Sequence, residues 1–295
     1  MSEPHCHDYP TLRGSLRLVI PMLALLASFG CASAAAQTPA SPPRFSEPLH
    51  LVVNIPAFRL DVYENGQLQT SYPVTVGKLS DATPTGHYKL QKVVWNPWWH
   101  PPYNRRPKDK DTPPGPRNPM GKVKLYFANM LYLHGTPKEH EIGTPASRGC
   151  VRLRNEDAIA LAKLVHRYAI APLPDGLLDE LESTRSWRTH AYPLTQAVPV
   201  DIVYDLVEVR DGELIVYPDF YRNARLPLTE LAARALEAAG YTRDRVDNHA
   251  LEAALAPAKG ASATKATGSP EPLHVPIDQV LGGDGDAVAG GGTRR

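Results

Sequence analysis

The chain has 295 residues, enough for one sizeable domain with extensions, and its 32 Lys and Arg against 31 Asp and Glu leave a formal charge of +1. That balance excludes an electrostatic nucleic-acid binder, which carries a basic excess. Proline at 30 positions points to a loop-rich fold, and neither an internal repeat nor a P-loop or dinucleotide fingerprint is present.

Arg13 and Arg17 precede an apolar run from Leu18 to Phe29 and then the small residues Gly30 to Ala36, the pattern of a secretory signal peptide over residues 1–36. The run is shorter than the roughly 20 residues a spanning helix needs. Cleavage after Ala34 or Ala36 removes Cys6 and Cys31, leaving Cys150 as the lone thiol of an exported, periplasmic protein. The alternative is a lipid anchor on Cys31, a site that Ser28 and Phe29 fit poorly. Residues 37–46 read as a Pro/Ser/Ala linker.

From Leu49 the pattern becomes strand-like, with Leu51, Val53 and Ile55 alternating. Strands over 58–63 and 68–76 flank Asn65-Gly66, a strong hairpin signal because both turn residues accept positive φ. A further strand is expected over 87–94, then a long functional loop over 96–119 rich in Pro, Trp and charge. Strands over 122–127 and 130–133 deliver His134, and 147–153 is expected to be extended. Asn155 is the expected N-cap of a helix whose apolar face is Ala158, Leu161, Ala162 and Val165, and Asp175 that of a short one. A second hairpin, 198–209 with 213–217, turns at Asp211-Gly212, and helices follow over 229–239 and 248–256. The tail 257–295 is expected to be disordered. Many hairpin strands and few helices predict a mainly β, antiparallel sandwich or barrel with peripheral helices.

A thiol becomes a nucleophile when its thiolate is populated, against a free pKa of about 8.5. If residues 148–152 are extended, Arg148 and Arg152 share a face with Cys150 and favour its charged form. His134 is the candidate base, with the carbonyl of Gly135 to orient its ring, and the N–H groups of Gly149 and Cys150 are candidate oxyanion donors. The bland readings are a cysteine used as a small core hydrophobe and a histidine satisfied at a strand end. His100, His140 and His166 read as surface residues, and no His/Cys/Asp set has metal-ligand spacing.

His134-Gly-Thr, then Ser147-Arg-Gly-Cys150-Val-Arg152-Leu and Asp157-Ala, resembles the signature of the L,D-transpeptidase catalytic (YkuD) family. Thr83-Pro84-Thr85-Gly86, Asn96-Pro97-Trp98 and Gly115-Pro116-Arg117-Asn118-Pro119 support it upstream, and Asp219-Phe-Tyr221 is similar to the closing strands of larger Gram-negative members. The resemblance implies a catalytic domain over 47–223, followed by a helical extension over 224–256. It further implies a cofactor-free enzyme in which Cys150 is the nucleophile and His134 the proton donor and acceptor. Ser147, Gly149 and Arg152 belong to the motif, while Arg148 stands where many members have His. The implied reaction acylates Cys150 with a peptidoglycan tetrapeptide stem, releases D-alanine and transfers the acyl group to an amine, on another stem or on a wall-anchored lipoprotein. The alternatives are hydrolysis of the same thioester and a non-catalytic wall-peptide binding domain. For Arg152 two readings stand: a grip on the donor carboxylate, or a pair with Asp157 or Glu156.

Overall fold

The computed structural model of the protein describes residues 45–101, 110–183, 187–260 and 271–282. The expected signal peptide and nearly all of the linker lie outside them. The strands in chain order begin with β1 (Leu49–Asn54), β2 (Arg59–Glu64), β3 (Gln67–Pro73), β4 (Val76–Gly77), β5 (Gly86–Lys89) and β6 (Lys92–Trp95). Next come β7 (Val123–Ala128), β8 (Leu131–Thr136), β9 (Pro145–Ser147) and β10 (Val151–Arg154), then the helices α1 (Asn155–Ala169) and α2 (Leu177–Glu182). The remainder is β11 (His190–Pro193), β12 (Pro199–Val203), β13 (Val207–Arg210), β14 (Glu213–Val216), α3 (Leu228–Ala238), α4 (Asn248–Gly260) and β15 (Leu273–Pro276).

Two five-stranded sheets share one apolar core. The first has the order β3-β2-β1-β12-β5 and the second β10-β8-β7-β6-β11, with parallel pairs only at β1–β12 and β8–β10. Leu51, Val53, Leu60 and Val62 of the first sheet join Val93, Leu125, Leu133 and Val151 of the second, and the face of α1 predicted from its spacing (Ala158, Leu161, Ala162, Val165) completes the cluster. Each such buried side chain contributes about 1.5–3 kcal/mol relative to exposure. Asn65 and Gly66 turn the β2–β3 hairpin at φ 51° and 76°, as their residue types require.

Three expectations fail for identifiable reasons. The single strand over 87–94 is two strands in different sheets. The Leu90 N–H donates to the carbonyl of Val198, just ahead of β12 of the first sheet (2.9 Å), and the Gln91 N–H to that of Tyr126 in the second (2.8 Å), so the chain changes partner between consecutive residues. Likewise the segment 198–209 is divided, β12 entering the first sheet and β13 a third one, β13-β14-β15. The third concerns the tail. α4 continues to Gly260, and β15 pairs with β14 and buries Val275 beside Ile277 and Val280. The alternating Leu273-His-Val275-Pro-Ile277 is a half-buried strand in otherwise low-complexity surroundings. The rest of the tail lies outside the described residues.

The third sheet, α3 and α4 enclose a second core around Leu206, Leu214, Val216, Leu236, Leu251 and Leu255. A charged joint fastens it to β2. Arg59 binds Glu208 through both carboxylate oxygens (2.8 and 2.7 Å), Asp61 (2.9 Å) and the Tyr217 hydroxyl (3.0 Å), while Arg210 reaches Asp61 (3.3 Å).

Candidate active site

The hairpin β7–β8 and the parallel strand β10 place Lys124, His134 and Arg152 in direct register, one per strand. Strand alternation sends Leu125, Leu133 and Val151 into the core and these three polar residues to the opposite face. Cys150 immediately precedes β10, and its Sγ donates to the Met130 carbonyl (3.5 Å) at the start of β8. The Tyr132 backbone hydrogen-bonds the sulfur from the same strand, in the sense that favours thiolate. Residues 147–153 are therefore not continuously extended: Gly149 sits at φ 102° and turns the chain between β9 and β10. That conformation calls for the glycine, since a Cβ there would meet its nearest neighbour within the chain at 3.5 Å, an ordinary contact.

His134 is 2% exposed and its Nδ1 lies 2.7 Å from the Gly135 carbonyl. A carbonyl only accepts, so Nδ1 carries the proton in that bond. Burial pushes the imidazole down to about 3; the Gly135 and Met120 backbones oppose this, and the charges of Arg152 and Lys124 add to it. Burial also raises the Cys150 thiol, only partly offset by the Tyr132 backbone, Arg152 and Lys124. Both groups thus rest neutral near pH 7. The expectation that flanking arginines populate the thiolate gives way here: desolvation outweighs the charges. Arg148, moreover, is exposed and is not among the charges acting on the sulfur, where Lys124 is.

Around this pair the motif residues have structural tasks. The Ser147 hydroxyl donates to the Cys150 carbonyl and accepts the Gly149 N–H at 3.2 Å, locking the turn; that N–H is therefore engaged, contrary to its expected role as a free oxyanion donor. The Arg152 guanidinium pairs with Glu141, not with Asp157 or Glu156, and its backbone exchanges two bonds with Thr75 (both 2.9 Å). That pair engages one nitrogen of the guanidinium. Gly135 is needed because a Cβ would lie 2.3 Å from the Asn155 Oδ1. Asn155 itself does not cap α1: it accepts the Lys122 N–H (3.0 Å) and donates to the Thr136 carbonyl (3.1 Å), stitching β8 to the strand beside it. Gly176, not Asp175, precedes α2, without a side-chain cap.

Beside the thiol turn, the loop 77–83 is held by Lys78 N–H to Ser147 O (3.1 Å) and by the Tyr221 hydroxyl, which donates to the Gly77 carbonyl and accepts the Thr83 N–H (3.1 Å). Among the surface histidines expected, His166 is in fact buried, accepts the Trp95 indole N–H (2.9 Å) and is pushed down to about 4 by burial. Trp95 is accordingly core, whereas Trp98 is exposed. Among the described residues no cluster of three or more His, Cys, Asp or Glu could hold a metal. Sequence reasoning missed Lys124, Met130 and Tyr132. The signal was present in the β7–β8 hairpin, whose register determines what stands opposite His134 and beside Cys150.

The family model of the YkuD L,D-transpeptidase catalytic domain matches residues 48–201. The chain is similar to the YkuD protein of Bacillus subtilis, with 31% identity over 43% of this chain and 66% of that protein. It is also similar to the "Probable L,D-transpeptidase YbiS" of Escherichia coli, with 34% identity over 36% of this chain and 38% of that protein. It thus spans just under two thirds of the first relative and well under half of the second. Among solved structures, an L,D-transpeptidase from Mycobacterium smegmatis aligns with 53% of this chain and 58% of its own, at 15% identity and a TM-score of 0.35. Since the family model matches slightly more than half of its residues, this chain belongs to the L,D-transpeptidase catalytic domain family.

Proposed function

We propose that the protein is an exported cysteine transpeptidase that works in the periplasm on peptidoglycan stem peptides. The reading rests on one observation: Cys150 immediately precedes β10, whose Arg152 is in register with His134 on β8, and the imidazole Nδ1 is held by the Gly135 carbonyl so that Nε2 can serve as base. The Cys150 Sγ attacks the carbonyl of the third stem residue while its proton passes to Nε2. The collapsing intermediate expels D-alanine, whose nitrogen takes that proton, and leaves a thioester. An amine acceptor then attacks the thioester, Nε2 receives the amine proton, and the thiol is restored. The Tyr132 backbone favours the sulfur as its charge develops, while the thiol's bond to the Met130 carbonyl is given up with its proton.

Intact-mass measurement with a tetrapeptide stem tests this. The wild type is expected to gain the mass of the acyl tripeptide, and muropeptide dimers are expected to accumulate. Cys150→Ala is expected to show no adduct, and His134→Gln to acylate about 10²–10⁴ times more slowly. An adduct on Cys150→Ala would sink the mechanism, and tripeptide without dimers would assign the second step to water.

A further inference from the structure

Arg152 is paired with Glu141 and Arg148 does not act on the sulfur, so among the described residues the unpaired cation acting on the thiol is Lys124. Its side chain is 8% exposed on the central strand β7, directly opposite His134. Nζ lies 4.9 Å from the Tyr126 ring centroid and 5.0 Å from that of Tyr132. Lys92 approaches the Tyr126 ring too (4.5 Å), and its charge also acts on Lys124. Among the described residues Lys124 has neither an ion pair nor a hydrogen bond for its three donors, yet Nζ is not sealed from solvent. Burying an ammonium without a carboxylate is costly, and aromatic faces offset only part of it. The strain is visible in its ionisation: burial pushes Lys124 down to about 8, Lys92 adds to this, and Cys150 opposes it.

We propose that the Lys124 ammonium, backed by Lys92, is the carboxylate-binding group of this active centre and takes the carboxylate next to the scissile bond of the donor. The identity of that donor rests on the function proposed above: the residue expelled carries a free carboxylate one carbon from the amide nitrogen. Seated between the two lysines, that carboxylate supplies the missing counter-charge and brings the scissile carbonyl to Cys150. Lys124 thereby selects donors with a free C-terminus.

The test uses full-length protein and two alkylating agents that differ in charge, iodoacetate and iodoacetamide, at pH 7. In both reactions the sulfur forms the S–C bond, iodide leaves and the thiol proton goes to solvent. The iodoacetate-to-iodoacetamide rate ratio for wild-type Cys150 is expected to exceed that of free cysteine by about tenfold, the scale of one charge-assisted hydrogen bond. Lys124→Gln is expected to remove that excess, and Lys124→Arg to keep most of it. A wild-type ratio equal to that of free cysteine overturns the proposal without any variant. So does a Lys124→Gln protein that slows both reagents equally, which would mean that Lys124 acts only on the thiolate. A second arm compares a tetrapeptide acid with its C-terminal amide. The wild type is expected to acylate the acid about tenfold faster, and Lys124→Gln to treat the two alike. Preference for iodoacetate without any turnover of stem peptides would overturn the reading of function while leaving the anion site standing.

Discussion

The molecule contains two clusters of sheltered charge, and they are built on opposite terms. At the joint between the two cores, Arg59 is matched by Glu208 and Asp61, and Arg210 reaches Asp61 as well. Against the desolvation that raises it, Arg59, Ser71 and Arg210 hold the Asp61 carboxyl below the usual carboxylate range. On the thiol face the terms are reversed. Lys124 has no carboxylate, and His134 and Cys150 are held neutral by burial. The first arrangement resists change because each charge would be stranded without the other. The second is incomplete until something negative arrives, which suits a centre that must change its protonation during a reaction.

Three perturbations separate the two arrangements. The largest effect is expected at the joint: Arg59→Met strands Asp61 and Glu208 and should cost about 3–5 kcal/mol in urea unfolding, the usual penalty for removing one partner of a buried pair. The double change Arg59→Met with Glu208→Gln should recover part of that loss; equal losses would show the joint to be solvated and weak.

The neutral face should reveal itself through pH. His134 and His166 titrate at about 3 and about 4 in the folded chain, against about 6.5 when unfolded. Below pH 6.5 the unfolded state therefore binds protons that the native state refuses, so stability is full above that value. It should fall as the pH drops towards 4, by up to about 1.4 kcal/mol per pH unit for each histidine. The carboxylates held low, Asp61 and Asp201, add their losses only near and below their unfolded values of about 4. Urea melts at pH 7.5 and 5 measure the slope, and His166→Gln, which keeps an acceptor for Trp95, should halve it.

The smallest effect is expected at Arg148→Ala, less than twofold on acylation, because this side chain is exposed and is not among the charges acting on the sulfur. A tenfold loss would return Arg148 to the site.

What could be read from the chain follows the range of the interactions involved. The Asn65-Gly66 hairpin, the apolar face of α1 and the delivery of His134 by a strand are local patterns, and each is found as expected. The partner of Arg152 was out of reach because Glu141 arrives through a turn between β8 and β9 that carries no periodicity. The protonation of Cys150 was misjudged for a related reason: neighbouring arginines are visible in a sequence, but desolvation is a property of packing. The corner at Leu90-Gln91 and strand β15 were hidden by tertiary pairing, which alternation alone does not specify.

The hydroxyl of Tyr221 bears on where this catalytic unit ends. The family match stops at residue 201, yet Tyr221 lies beyond it and ties Gly77 to Thr83 next to the Ser147 turn. Tyr221 is itself seated by a hydrogen bond from its N–H to the Tyr204 hydroxyl, which donates in turn to Asp219. A chain cut at the edge of the family match would keep Cys150 and His134 but lose the strut that holds the loop beside them. The boundary defined by shared ancestry and the boundary defined by mechanical support are, in this protein, different places.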